Sequence, residues 1–129
     1  MPKVSKDSAA QHEDHGPVLD HWEDVEGYRI NFLEFHMAMD GTPLLKGLPG
    51  DQCTCPHWGY VTKGRLTFRI DGREEVYEAG DAFYVGPGHV PIVEEGLEYV
   101  QFSPAEELEK VSAVMTENFR RMQQQQAPA

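Results

Sequence analysis

The chain has 129 residues, 40% of them hydrophobic, with 11 basic against 22 acidic side chains and a formal net charge of -11. One domain of this length buries roughly two-thirds of its surface, so a single core is available, while the negative charge repels a phosphate backbone and argues against nucleic acid as a partner. No apolar run approaches the ~20 residues of a bilayer-crossing helix and no apolar signal segment opens the chain, so the expectation is a cytoplasmic protein that engages no membrane.

Residues 1–16 are polar, mixed in charge and poor in aromatics, which predicts a flexible N-terminal arm. His12 and His15 lie within it and read as solvated side chains. From Tyr28 the pattern changes to short alternating runs broken by Gly and Pro, the mark of an all-β sandwich or barrel, here placed over residues 17–104. Leu66, Phe68 and Ile70 alternate with Arg65, Thr67 and Arg69, so one face of that strand meets a core. Asp71 and Gly72 then supply a hairpin turn into the run EEVYEA. After Pro104 the period becomes helical, with Leu108, Val111, Met115, Phe119 and Met122 three or four apart. This predicts one amphipathic helix over 105–124, packed on the barrel or on a second subunit. Ser103 is its expected N-cap, Pro104 suits its first turn, and Glu106 and Glu107 complement its dipole. Residues 125–129 read as a frayed tail.

Residues 48–64 read LPGDQCTCPHWGYVTKG and hold both cysteines of the chain. In an extended chain Cys53, Cys55 and His57 project to one face. Pro56 has no N–H for a ladder, and makes Cys55 the residue most exposed to being turned aside. A disulfide across two positions lies at the edge of the allowed geometry. Thiolate and imidazole together favour zinc or copper over magnesium or calcium. Two other readings stay open: thiols as small buried hydrophobes in a metal-free pocket, and haem held through Cys55 and Pro56, which needs a wide apolar cavity.

The stretches GYVTKGRLTF and EAGDAFYVGPGHVP resemble the two motifs of the cupin superfamily, G-x5-H-x-H-x3,4-E-x6-G and G-x5-P-x-G-x2-H-x3-N. Gly64 matches the closing glycine of the first, Gly80 and Gly88 match glycines of the second, and Gly86 stands at its first proline. The resemblance spans residues 51–103. It implies a cupin-type double-stranded β-helix, or jelly-roll barrel, with a C-terminal α-helix, a homodimer, and a metal or small-molecule ligand inside. The ligand positions depart from the family. His57 stands where the family has its glutamate, Cys53 where it has its second histidine, Asp51 its first, and Pro91 the histidine of the second motif. His89 lies two residues before Pro91, with the same strand parity. The three-His-plus-Glu iron or manganese site therefore does not carry over.

The candidate metal ligands are Cys53, Cys55, His57 and His89, with His36 and Asp51 in reserve. Zinc is favoured, and iron, copper and nickel stay open. Tyr99 and Gln101 share a strand face and could line a pocket, whereas Trp58 and Tyr60 share the parity opposite to His57 and pack outside. Three functions remain. The first is a small cupin binding a metal ion or small metabolite inside the barrel. The second is a metal-dependent dioxygenase, isomerase or lyase acting on a small organic acid, with His57, His89 or Tyr99 as acid or base. The third is a non-catalytic structural or interaction cupin without metal.

Overall fold

The alternation read from Tyr28 onward lies within the ten strands of the computed structural model, which describes residues 2–126. These are β1 (Gln11–Asp14), β2 (Val18–Val25), β3 (Tyr28–Phe35), β4 (Met39–Asp40), β5 (His57–Lys63), β6 (Arg65–Ile70), β7 (Arg73–Glu78), β8 (Ala82–Val85), β9 (His89–Val93) and β10 (Glu98–Pro104). Two 3-10 turns, Thr42–Leu45 and Pro49–Asp51, lie between β4 and β5, and helix α1 (Ala105–Gln126) follows β10. The strands form a six-stranded sheet in the order β1-β2-β3-β10-β5-β8 and a four-stranded sheet in the order β4-β9-β6-β7. Every pairing is antiparallel. The late strand β10 inserts between β3 and β5, as the non-sequential pairing of a jelly roll requires. The fold is the expected all-β jelly-roll barrel with a C-terminal helix.

Local chemistry fixes the registers. Asp71 (φ 50°) and Gly72 (φ 77°) take successive positive φ values between β6 and β7, the requirement of the tight hairpin turn that matches strand twist. The register then runs from Ile70 opposite Arg73 to Arg65 opposite Glu78. On β6, Leu66 and Phe68 turn inward to Val61, Phe83, Val85, Val93, Leu97 and Tyr99. A second apolar cluster, Leu45, Cys53, Cys55, Val90, Leu108 and Val111, ties the helix to the barrel. Trp58 and Tyr60 are exposed on the outer face of the large sheet, in line with their parity.

Several expectations need correction. The arm expected over 1–16 is a strand from Gln11 to Asp14, paired with β2 so that His12 lies opposite His21. Its few apolar residues are offset by side-chain bonds: Trp22 Nε1 donates to Glu13 Oε1 (2.5 Å), and Ala10 N to Glu23 Oε1 (2.9 Å). Ser103 does not cap the helix, because it is the penultimate residue of β10 and its hydroxyl is engaged by His57 Nδ1 at 2.7 Å. Residues 53–57 are not one strand, since β5 begins only at His57. The expected tail, 125–129, is helical through Gln126, and residues 127–129 lie outside the described residues.

Helix α1 packs on the barrel. Leu108 and Val111 are buried, and Asn118 Nδ2 donates to the carbonyls of Leu44 (2.7 Å) and Lys46 (2.9 Å) in and after the first 3-10 turn. Buried Arg29 on β3 joins β2 to the helix, donating from Nε to Asp24 Oδ1 and from Nη1 to Glu109 Oε2, both at 2.7 Å. Among the described residues no helix is long and apolar enough to cross a membrane.

Gly59 on β5 marks the tightest approach inside the large sheet. A Cβ there would stand 2.6 Å from Val100 O and closer still to the Phe83 ring, which lies across the glycine. Gly59→Ala is therefore expected to lower stability by about 1–3 kcal/mol in denaturant unfolding. Val76→Ala, at a half-exposed position, should stay within about 0.5 kcal/mol of the parent. Equal effects from the two would contradict this packing.

Candidate functional site

Between the two sheets and helix α1 lies a partly open cavity of about 560 Å³. Its strand positions follow the alternation. Asp20 on β2, Asn31 and Leu33 on β3, and Tyr99 and Gln101 on β10 all line it, as do Cys53 in the loop before β5, His57 on β5 and His89 on β9 of the smaller sheet.

Backbone pairing brings those last three residues together. Cys53 N donates to His89 O and Gly88 N donates to Cys53 O, both at 2.8 Å, so the loop before β5 is fastened to the start of β9. His57 opens β5 opposite Val85. One nitrogen or sulfur from each of Cys53, His57 and His89 lies within 4.8 Å of the other two, and all three residues are buried. Cys53 Sγ is 3.6 Å from His57 Nε2, and the imidazole centroids are 5.0 Å apart.

The remaining ring nitrogens are held from behind. His89 Nδ1 lies 2.7 Å from Gly86 O, a group that can only accept, so Nδ1 carries the proton and Nε2 keeps its lone pair. His57 Nδ1 is 2.7 Å from Ser103 Oγ, which leaves its Nε2 turned to Cys53. Burial pushes His57 down to about 3 and lowers His89, partly opposed by its bond to Gly86. Both imidazoles are neutral donors at physiological pH. Burial pushes the Cys53 thiol up to about 11, so a metal would have to displace its proton.

Cys55 does not join this group. Its neighbour Pro56 cannot extend the ladder, the chain bends at Cys55, and the thiol donates to Pro56 O (3.3 Å) within the second apolar cluster. The four-residue ligand set expected from the sequence thus reduces to three, and the haem reading loses its sulfur. Asp51 is exposed, its carboxylate accepting from Gly47 N (2.9 Å) to close the second 3-10 turn. His36 is exposed just beyond β3. Neither reserve residue reaches the cluster.

Tyr99 and Gln101 are buried on the cavity wall, and burial raises the Tyr99 phenol well above its ordinary value. Sequence reading passed over their neighbours. Asn31 Nδ2 donates to Asp20 Oδ1 (2.9 Å) and Oδ2 (3.2 Å). Burial pushes Asp20 up to about 6, with the Asn31 hydrogen bond opposing the rise. The signal was present in the run NFLEF, where Asn31 shares inward parity with Leu33 and Phe35.

This donor set fits a soft divalent metal. Two neutral imidazoles and one thiol converge from three separate segments, each imidazole with its second nitrogen tied back, as ligating histidines usually are.

Residues 53–91 match the cupin domain family, a stretch that contains the whole Cys53, His57 and His89 group. Solved structures agree on the fold. A protein of unknown function from Rhizobium leguminosarum is similar with a TM-score of 0.59 at 20% identity, over 80% of this chain and 95% of that one. A cupin superfamily protein from Desulfitobacterium hafniense gives 0.54 at 10% identity, over 71% and 81%. An RmlC-like cupin from Shewanella frigidimarina gives 0.51 at 20% identity, over 73% and 83%. No curated protein matches the sequence. β10 inserted between β3 and β5 gives the chain the jelly-roll fold of these structures, and its segment 53–91 matches the cupin domain family.

Proposed function

We propose that the chain binds a soft divalent transition metal, zinc ahead of iron, copper or nickel, through Cys53 Sγ, His57 Nε2 and His89 Nε2, and uses it to hold a small molecule in the cavity. The observation that carries this reading is the convergence of three buried donors with both Nδ1 atoms fixed by Ser103 and Gly86. Three protein ligands leave a position for an outside ligand, where four would close the site. When bound, such a metal supplies Lewis-acid polarisation of a ligand oxygen or nitrogen. Cavity size suits a small metabolite, and Asp20, Asn31, Tyr99 and Gln101 offer it hydrogen bonds. One observation favours a catalytic variant of this reading: Asp20 is a cavity carboxyl raised to about 6, within the range of a proton-transfer group.

Protein purified without added metal is expected to carry about one equivalent of zinc or another transition metal per chain, by elemental analysis. His57→Ala and His89→Ala should each abolish that content. Ser103→Ala should weaken zinc binding by about tenfold or more in a competitive chelator titration, because His57 loses its orienting partner. Metal content near zero in the parent, or unchanged in both histidine variants, would refute the site.

Asp20 also predicts a pH dependence of stability. Its folded pKa of about 6 lies above the ordinary carboxyl value of 3.8. The folded state therefore binds a proton more tightly, and stability falls as pH rises from about 4 to 6. Above that window the cost of the buried carboxylate is complete. Asp20→Asn keeps an acceptor for Asn31 and should raise stability at neutral pH by up to about 2 kcal/mol, with the gain shrinking toward pH 4. A gain that grows on acidification would contradict this assignment.

A further inference from the structure

We propose that the end of the cavity formed by Asp20 and Asn31 takes a small protonated amine. The inference rests on reading the cavity as a ligand site, and it adds the class of ligand.

Acceptors outnumber donors at this end. Among the described residues, the only hydrogen bonds to the Asp20 carboxylate come from Asn31 Nδ2, which leaves further lone pairs on both oxygens. Asn31 is 4% exposed, and its Oδ1 has no partner among the described residues. Turning the amide over would set that oxygen against the carboxylate, so Asp20 fixes its orientation.

Charge points the same way. Besides the Cys53, His57 and His89 group, the titratable side chains lining the cavity with Asp20 are Glu13 and His15 from the N-terminal segment, Arg29 from β3, Tyr99 from β10, and Glu109 and Glu117 from α1. Arg29 is closed off, with Nε and Nη2 on Asp24 and Nη1 on Glu109. His15 Nε2 lies 3.3 Å from Glu13 Oε2. No unpaired cation among the described residues is left to neutralise Asp20 in this cavity. A carboxylate or phosphate ligand would meet that charge uncompensated, and a hydroxyl would bring one donor. An ammonium brings three N–H groups together with the missing positive charge.

The cavity also suits a short ligand. Asp20, Tyr99 and the Cys53, His57 and His89 group all line this one cavity. Leu33, Phe35 and Met39 supply the apolar wall for a short hydrocarbon body.

The test is an NMR chemical-shift titration of the full chain, zinc-loaded and at neutral pH, with propylammonium chloride. Propanol and sodium propionate serve as isosteres and sodium chloride as the salt control. The expected result is saturable binding of propylammonium with shifts at the Asn31 side-chain amide, at least about tenfold tighter than either isostere. Asp20→Asn should weaken it at least about tenfold while its zinc content stays that of the parent. Propionate or propanol binding as tightly, an unperturbed Asn31 amide at saturation, or full affinity in Asp20→Asn would each overturn the proposal, the second without any variant. Amine binding in protein that takes up no zinc supports this inference and removes the metal reading. Zinc binding with no saturable amine response overturns this inference alone.

Discussion

Two backbone hydrogen bonds, from Cys53 N to His89 O and from Gly88 N to Cys53 O, hold the loop before β5 against the start of β9. Everything at the site depends on that clasp. It joins the six-stranded sheet to the four-stranded one and fixes a sulfur beside two imidazoles that arrive on separate strands. Burial then keeps all three donors uncharged in the absence of a metal. An uncharged group of this kind is cheap to bury, because each Nδ1 already has a partner. A cation arriving there meets lone pairs already oriented.

The rest of the barrel serves to place this clasp and the wall opposite it. Strand β10 lies between β3 and β5, so Asn31 and Gln101 share a register and Gln101 in turn faces Gly59. Gly59 leaves room for the Phe83 ring, which closes the apolar core beside the cavity. Helix α1 covers the cavity from the outside, held by Arg29, Asn118 and the Leu108 and Val111 side chains. The interior is therefore divided. One end is apolar and packed, and the cavity beside it carries the Cys53, His57 and His89 group and the Asp20 and Asn31 pair.

Much of the fold was legible because it rests on short-range rules. Alternation gave β6, the Asp71 and Gly72 turn gave its hairpin, and the helical period after Pro104 gave α1. The arm was misread because β1 is held by side-chain bonds from Trp22 and to Glu23, contacts that no local pattern reports. At the site, spacing put Cys53 and His57 on one face, the cupin resemblance added His89, and Pro56 marked Cys55 as the thiol to be turned aside, which the bend at Cys55 does. Ser103 was assigned to the helix by its position one residue before Pro104, whereas His57, 46 positions away in sequence, claims its hydroxyl. Asp20 and Asn31 went unread because neither belongs to a motif. Each is a polar residue at an inward position of an otherwise ordinary strand, and only the cross-strand register joins them.

The central claim is that one sulfur, that of Cys53, and two imidazoles already converge on a single point. Cobalt(II) titration of the whole chain, followed by absorption, tests it most directly, since a cobalt–thiolate bond gives a near-ultraviolet charge-transfer band. The account predicts one cobalt per chain, with that band lost in Cys53→Ser and kept in Cys55→Ser. A band that survives in Cys53→Ser and disappears in Cys55→Ser, or no band in the parent, would contradict it.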